Sequence, residues 1–169
     1  MIFSIVLVVA YALMWAVTRG QWHARRQWRN ALGIGMVVAG LTHFLTPLPF
    51  VQHLPEWVPA RYAIIYATGV AEMALGVWAV SAPPRAIPVV GAALAAYLFA
   101  VFPANVYVAV AGVDVSGQPG GIYPWLRLPF QALFVWLALW STGADAWVSK
   151  IRLSRRPLPF PGARARGQT

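Results

Sequence analysis

The stretch Tyr62-Ala63-Ile64-Ile65-Tyr66-Ala67-Thr68-Gly69-Val70-Ala71-Glu72-Met73-Ala74-Leu75-Gly76-Val77-Trp78-Ala79-Val80 decides the fold. It has the length and apolarity of a membrane helix, which needs roughly 20 mostly apolar residues, and its only charge is Glu72. Gly69 and Gly76 stand three residues before and four residues after Glu72. They share its helical face and leave room for a second helix to approach there. A carboxylate at that depth is costly in lipid, so Glu72 is expected to point into the interior of a bundle.

Four further stretches extend the pattern: Ile2 to Thr18, Ala31 to about Thr46, Ala86 to about Gly112, and Leu128 to about Thr142, reaching towards Trp147. Only 10% of the 169 residues are charged, against about 25% in a soluble domain. That is too little charge to coat a water-facing surface, and the reading is an all-α polytopic membrane bundle of five spans. Ile2 to Thr18 is read as a retained helix, because its positive cluster follows the apolar run and a signal peptide carries it in front. Without that first helix, four spans with both termini inside is the alternative.

The net charge of +9 suggests nucleic acid when taken alone, but its placement points elsewhere. With five spans, Arg19, Arg25, Arg26, Arg29, Arg85, Lys150, Arg152, Arg155, Arg156, Arg164 and Arg166 fall on one side, and only Arg61 and Arg127 on the other. The positive-inside rule makes the first side cytoplasmic. This predicts an inner-membrane protein with its N-terminus outside and its C-terminus inside. Trp and Tyr residues cluster at both expected boundaries, as amphipathic rings do. Three parts follow: a first helix and basic loop over 1–30, a four-helix bundle over 31–147, and a basic, Pro-containing tail over 148–169 that is disordered or lies on the anionic leaflet and binds no nucleic acid. With no cysteine in the chain, disulfides, iron–sulfur clusters and thiol chemistry are excluded, and any redox role needs a bound cofactor or a partner.

The polar residues inside the apolar stretches are the candidate site. His43 shares a helix face with Ala39 and Gly40 near the outer end of its span. Asn105 follows Pro103, whose missing N–H frees the carbonyl of Phe99. Gln131 lies one turn from Arg127 on one face. At about 1.5 Å per residue, His43, Asn105 and Gln131 all lie near the outer surface, with Glu72 deeper. These residues with Arg127 form a predicted ligand pocket, and Arg61, Trp57 and Tyr107 its mouth. Snorkelling to the interface is the competing account of Arg61 and Arg127, and interhelical hydrogen bonding that of Asn105 and Gln131. His53 and Glu56 are read as loop-surface residues. No compact pair of histidines exists among His43, His53, Glu56 and Glu72, and no metal site is assigned.

Gly40-Leu41-Thr42-His43-Phe44 with Pro47, Phe50 and Pro55-Glu56-Trp57-Val58-Pro59, then Thr68-Gly69-Val70-Ala71-Glu72-Met73-Ala74-Leu75-Gly76, Phe102-Pro103-Ala104-Asn105-Val106-Tyr107 and Leu126-Arg127-Leu128-Pro129-Phe130-Gln131 resemble, in order and spacing, the signatures of the DoxX-like family of bacterial integral membrane proteins. The resemblance runs from about Ala31 to Trp140. It implies a four-helix membrane bundle, with the first helix and the tail as additions. It also implies a role beside membrane redox systems, where some members resemble quinone-side subunits and others partners in redox-stress complexes.

Three functions are therefore open. The first is an accessory subunit, not a stand-alone catalyst, that binds a quinone-like or other amphipathic molecule and works with a membrane or peripheral redox protein. The second is a structural or assembly partner without a ligand. The third is a small proton-coupled permease using Glu72.

Overall fold

The computed structural model describes residues 2–146, all of whose regular structure is helical. The elements are α1 (Ile2–Thr18), α2 (Ala24–Leu45), α3 (Pro47–Val51), α4 (Arg61–Ser81), α5 (Ile87–Ala111) and α6 (Tyr123–Thr142). The basic tail expected over 148–169 lies outside the described residues.

Helix ends follow local chemistry. Proline occupies the first turn of α3, α5 and α6, where its fixed φ suits the helix and its missing N–H is not needed. α5 and α6 stop at Gly112 and Gly143, both left-handed (φ 62° and 71°), a conformation glycine adopts without strain. α4 stops at Ser81, just ahead of Pro83 and Pro84.

Two boundaries differ from the sequence expectation. α2 begins at Ala24, so Arg25, Arg26 and Arg29 lie on its first turns and not in a loop. α6 begins at Tyr123, so Arg127 sits on its second turn and not at a loop edge. There the chain leaves the left-handed Gly121 (φ 67°) and Pro124 starts the helix at once.

α2 and α4 form the tightest pair, and glycines are the reason. They run antiparallel, with Gly33 against Gly76 and Gly40 against Gly69. A Cβ on Gly40 would stand 2.6 Å from the Gly69 carbonyl oxygen, and one on Gly76 2.5 Å from that of Gly33. Neither distance is tolerable, so any side chain at these positions would push the helices apart. Gly69 and Gly76 thus serve the close approach that their spacing around Glu72 predicts. α5 pairs with α6 in the same manner, where Gly91 meets Thr142 and the Ala138 carbonyl. α1 packs on α2, with Tyr11 stacked on Trp28 (4.2 Å between centroids) and Gln27 donating to Thr18 Oγ1 (3.2 Å). α2 also meets α6, and the α4–α5 seam is the loosest of the long-helix contacts.

This arrangement divides the bundle lengthwise. At the end where α2 and α5 start, Leu32, Met36, Ala79, Val90, Leu94 and Ala138 are fully buried. Towards the opposite end a cavity lies between the helices. Large apolar residues cover much of the outside, among them Leu13, Val17, Val70, Val77, Phe99, Val110 and Trp136. Two helices, Arg61–Ser81 and Ile87–Ala111, are long and apolar enough to cross a membrane, and α1 contributes a shorter apolar helix over Ile5–Thr18.

Candidate functional site: a cavity between two polar networks

The cavity measures about 570 Å³, within the usual range for small-molecule sites of roughly 300–1,000 Å³. Its walls come from α2, α4, α5 and α6, and the segment linking α3 to α4 closes over one side. Most of the wall is apolar. The polar groups fall into two hydrogen-bonded networks.

The first network centres on His43 and Glu72. His43 Nδ1 donates to the Ile65 carbonyl (3.0 Å), with Thr68 Oγ1 at 3.2 Å. The Thr68 hydroxyl itself donates to the Ile65 carbonyl (2.8 Å), so the hydrogen on the imidazole belongs to Nδ1. Nε2 then faces Glu72 Oε2 at 3.6 Å, too far for a good hydrogen bond but close enough for an ion pair. Tyr97 donates to Glu72 Oε1 (2.9 Å). Oε2 is buried and has no hydrogen-bond partner. An imidazole lone pair and a carboxylate oxygen repel when both are bare. The facing atoms are compatible when the pair holds one proton between them, as imidazolium and carboxylate or as imidazole and carboxylic acid.

The second network centres on Arg127. Nη1 donates to His53 Nε2 (2.7 Å) and to Gln118 Oε1 (2.8 Å), and Nη2 donates to Asn105 Oδ1 (2.9 Å). Asn105 Nδ2 donates in turn to Gln131 Oε1 (3.4 Å), and Gln131 Nε2 to the Leu98 carbonyl (2.7 Å). That carbonyl lies one residue before Phe99, whose carbonyl Pro103 leaves without its helical donor. His53 is buried and donates from Nδ1 to the Pro49 carbonyl (2.6 Å). Burial, and next the neighbouring Arg127 charge, push its pKa down to about 4. His53 is therefore neutral, with its Nε2 lone pair turned to Arg127.

All five predicted ligand-site residues, His43, Glu72, Asn105, Arg127 and Gln131, line the one cavity, as do Trp57 and Tyr107. Arg61, expected at the mouth, does not line it. It opens α4 beyond Ile64 and Ile65, which take the wall positions. His53 corrects the surface reading. The short α3 turns the chain back so that the ring packs under it, at 7% exposure, whereas Glu56 is exposed as expected. Sequence reasoning also missed Tyr97, Thr68 and Gln118. The hydroxyl of Tyr97 in the apolar first half of α5 was the one available signal. Gln118 gave none, because its role depends on where the α5–α6 loop folds.

A family model described as a domain of unknown function (DUF8561) matches residues 32–142. The chain belongs to the DUF8561 family. The matched segment starts within α2 and ends with α6, so all the residues of both networks lie in the DUF8561 domain and α1 lies before it. No curated protein and no solved structure matches the chain.

Proposed function

We propose that this DUF8561 chain is a DoxX-like multi-pass inner-membrane protein of five spans, N-terminus outside and C-terminus in the cytoplasm. Its cavity binds a quinone-like or other amphipathic small molecule, and it works as an accessory subunit of a membrane redox system. The observation that carries the reading is the cavity: two polar networks facing an apolar space in a bundle whose outside is also apolar. A ligand with a polar head and an apolar body fits such a wall. Support for the spans comes from the two long apolar helices, α4 and α5, and from the apolar α1. Arg25 lies over the Trp140 ring near the end of α6 (5.4 Å), which agrees with basic residues gathered at one end of the bundle. The permease reading with Glu72 finds no such support, because the buried packing of Leu32, Met36, Val90 and Leu94 fills the bundle on the far side of the cavity.

The test is mild-detergent purification of the full chain followed by mass spectrometry of extracted small molecules, together with a reporter fused to the C-terminus. The expected result is a stoichiometric amphipathic ligand, thermal stabilisation by a short-chain quinone, and a cytoplasmic reporter. A protein that carries no ligand and gains no stability from any amphiphile sinks the proposal.

A further inference from the structure

We infer that the ligand of this cavity carries a negative headgroup that docks on Arg127. The inference rests on the cavity-binding reading above and narrows it from amphiphiles in general to acidic ones.

The chain has four acidic residues, Glu56, Glu72, Asp114 and Asp145, and all are described. The one ion pair among the described residues is His43 with Glu72, so the lone acid of the cavity wall is already committed. Among the described residues, Arg127 has no carboxylate within ion-pair distance. Its three hydrogen-bond acceptors, on His53, Gln118 and Asn105, are all neutral. His53 is neutral because its proton is held on Nδ1 by the Pro49 carbonyl and its pKa lies at about 4. With the His43–Glu72 pair sharing one proton, the cavity wall carries one uncompensated positive charge.

Arg127 lies on the second turn of α6, which fixes its backbone against the cavity wall that it lines. A guanidinium in a partly desolvated site is costly unless an anion joins it, and its planar donors match carboxylate and phosphate oxygens. The three neutral acceptors hold it in one orientation without discharging it. Much of the remaining wall is hydrocarbon and aromatic, with Ile64, Val101, Phe130 and Phe134 among its residues. A chain with an acidic end satisfies both halves. The shared chemistry is a carboxylate or phosphate on an apolar tail, whether it is a free amphiphile or the headgroup of a membrane lipid.

The test places the full chain in nanodiscs of phosphatidylcholine and measures retained ligand by native mass spectrometry. The probes are dodecanoate, dodecyl phosphate, dodecanol and a decyl-tailed quinone, with a separate arm in discs containing phosphatidylglycerol. Dodecanoate or dodecyl phosphate is expected to bind more tightly than dodecanol by more than about tenfold. Arg127→Gln is expected to erase that preference, and Arg127→Lys to keep part of it, with monodisperse elution of both variants checking the fold. Uptake of dodecanoate in phosphatidylcholine discs identifies a free amphiphile, and Arg127-dependent retention of phosphatidylglycerol identifies a lipid headgroup; either supports the inference. Equal binding of dodecanol or the quinone, or an anion preference that survives Arg127→Gln, overturns it while leaving the cavity reading intact. Binding of none of the probes, with no Arg127-dependent retention of phosphatidylglycerol, overturns both.

Discussion

Arg127 and His53 come from distant parts of the chain and meet in the fold, with Nη1 donating to Nε2 over 2.7 Å. The bond requires a neutral imidazole, because a protonated ring would offer a second positive charge where the lone pair now accepts. Protonation of His53 would therefore break this bond, and its sequence position in a Pro-rich loop did not announce the contact.

Stability is expected to fall with acid through this group. The folded-state pKa of His53, about 4, lies below the ordinary 6.5. Between those values the unfolded chain binds more protons than the folded one, so stability rises with pH across that window. The contribution is fully present above about pH 6.5, is lost as pH falls towards 4, and amounts to roughly 3 kcal/mol at most. Thermal melting of the wild type and His53→Gln from pH 7 to 4 checks this. The variant, which can still accept from Arg127, should show the shallower loss.

The α2–α4 contact should respond sharply to side-chain volume. Gly40→Leu places bulk where the Gly69 carbonyl and Met73 already stand and is expected to cost about 2 kcal/mol or more. The same substitution at Gly117, which has nothing near its Cβ direction, lacks the clash but faces left-handed strain (φ 74°). Chemical denaturation of the two variants beside wild type separates overpacking from backbone strain. Ligand binding should be lost in Gly40→Leu, because moving α2 also moves His43.

Tyr97 and Glu72 should prove coupled. Tyr97→Phe removes the hydrogen bond to Oε1, and Glu72→Gln removes the acid while keeping an acceptor. Each is expected to cost about 1 kcal/mol, with an interaction energy of about 0.5–1.5 kcal/mol in the double-mutant cycle. Additive effects would show that the hydroxyl and the carboxyl do not act together. Difference infrared spectroscopy across pH should show one carboxyl signal that Glu72→Gln abolishes.

Ala60, just ahead of α4, sits in the left-handed region (φ 53°, ψ 36°), where a Cβ is strained by about 1–2 kcal/mol. Ala60→Gly should stabilise the protein by about 1 kcal/mol. An unchanged or lower melting temperature contradicts this.

The helices and five of the site residues were legible in the sequence for physical reasons. An apolar run long enough to form a membrane helix leaves its backbone one way to satisfy its hydrogen bonds, and a Glu, His or Asn within such a run is costly enough to need a partner. The glycines around Glu72 marked the helix face that meets a neighbour. Arg61 and Arg127 looked alike, each basic and near the outer end of a span, yet only Arg127 lines the cavity. The difference lies in where α6 begins, and that depends on the loop leaving Gly121 and on Pro124.

Composition and the order of apolar stretches thus settled the helical class and the inward-facing polar residues, since both follow from costs paid locally along the chain. Only the tertiary fold joined His53 and Gln118 to Arg127, set Tyr97 on Glu72, and left the Arg127 cation on the cavity wall without a counter-charge among the described residues. Those relations depend on how helices cross and where loops return. The crossing of α2 and α4 is set by two glycine pairs, and the return of His53 by the short turn of α3. His53 and Arg127, like Tyr97 and Glu72, stand on different elements, so no reading along the chain could balance the charge.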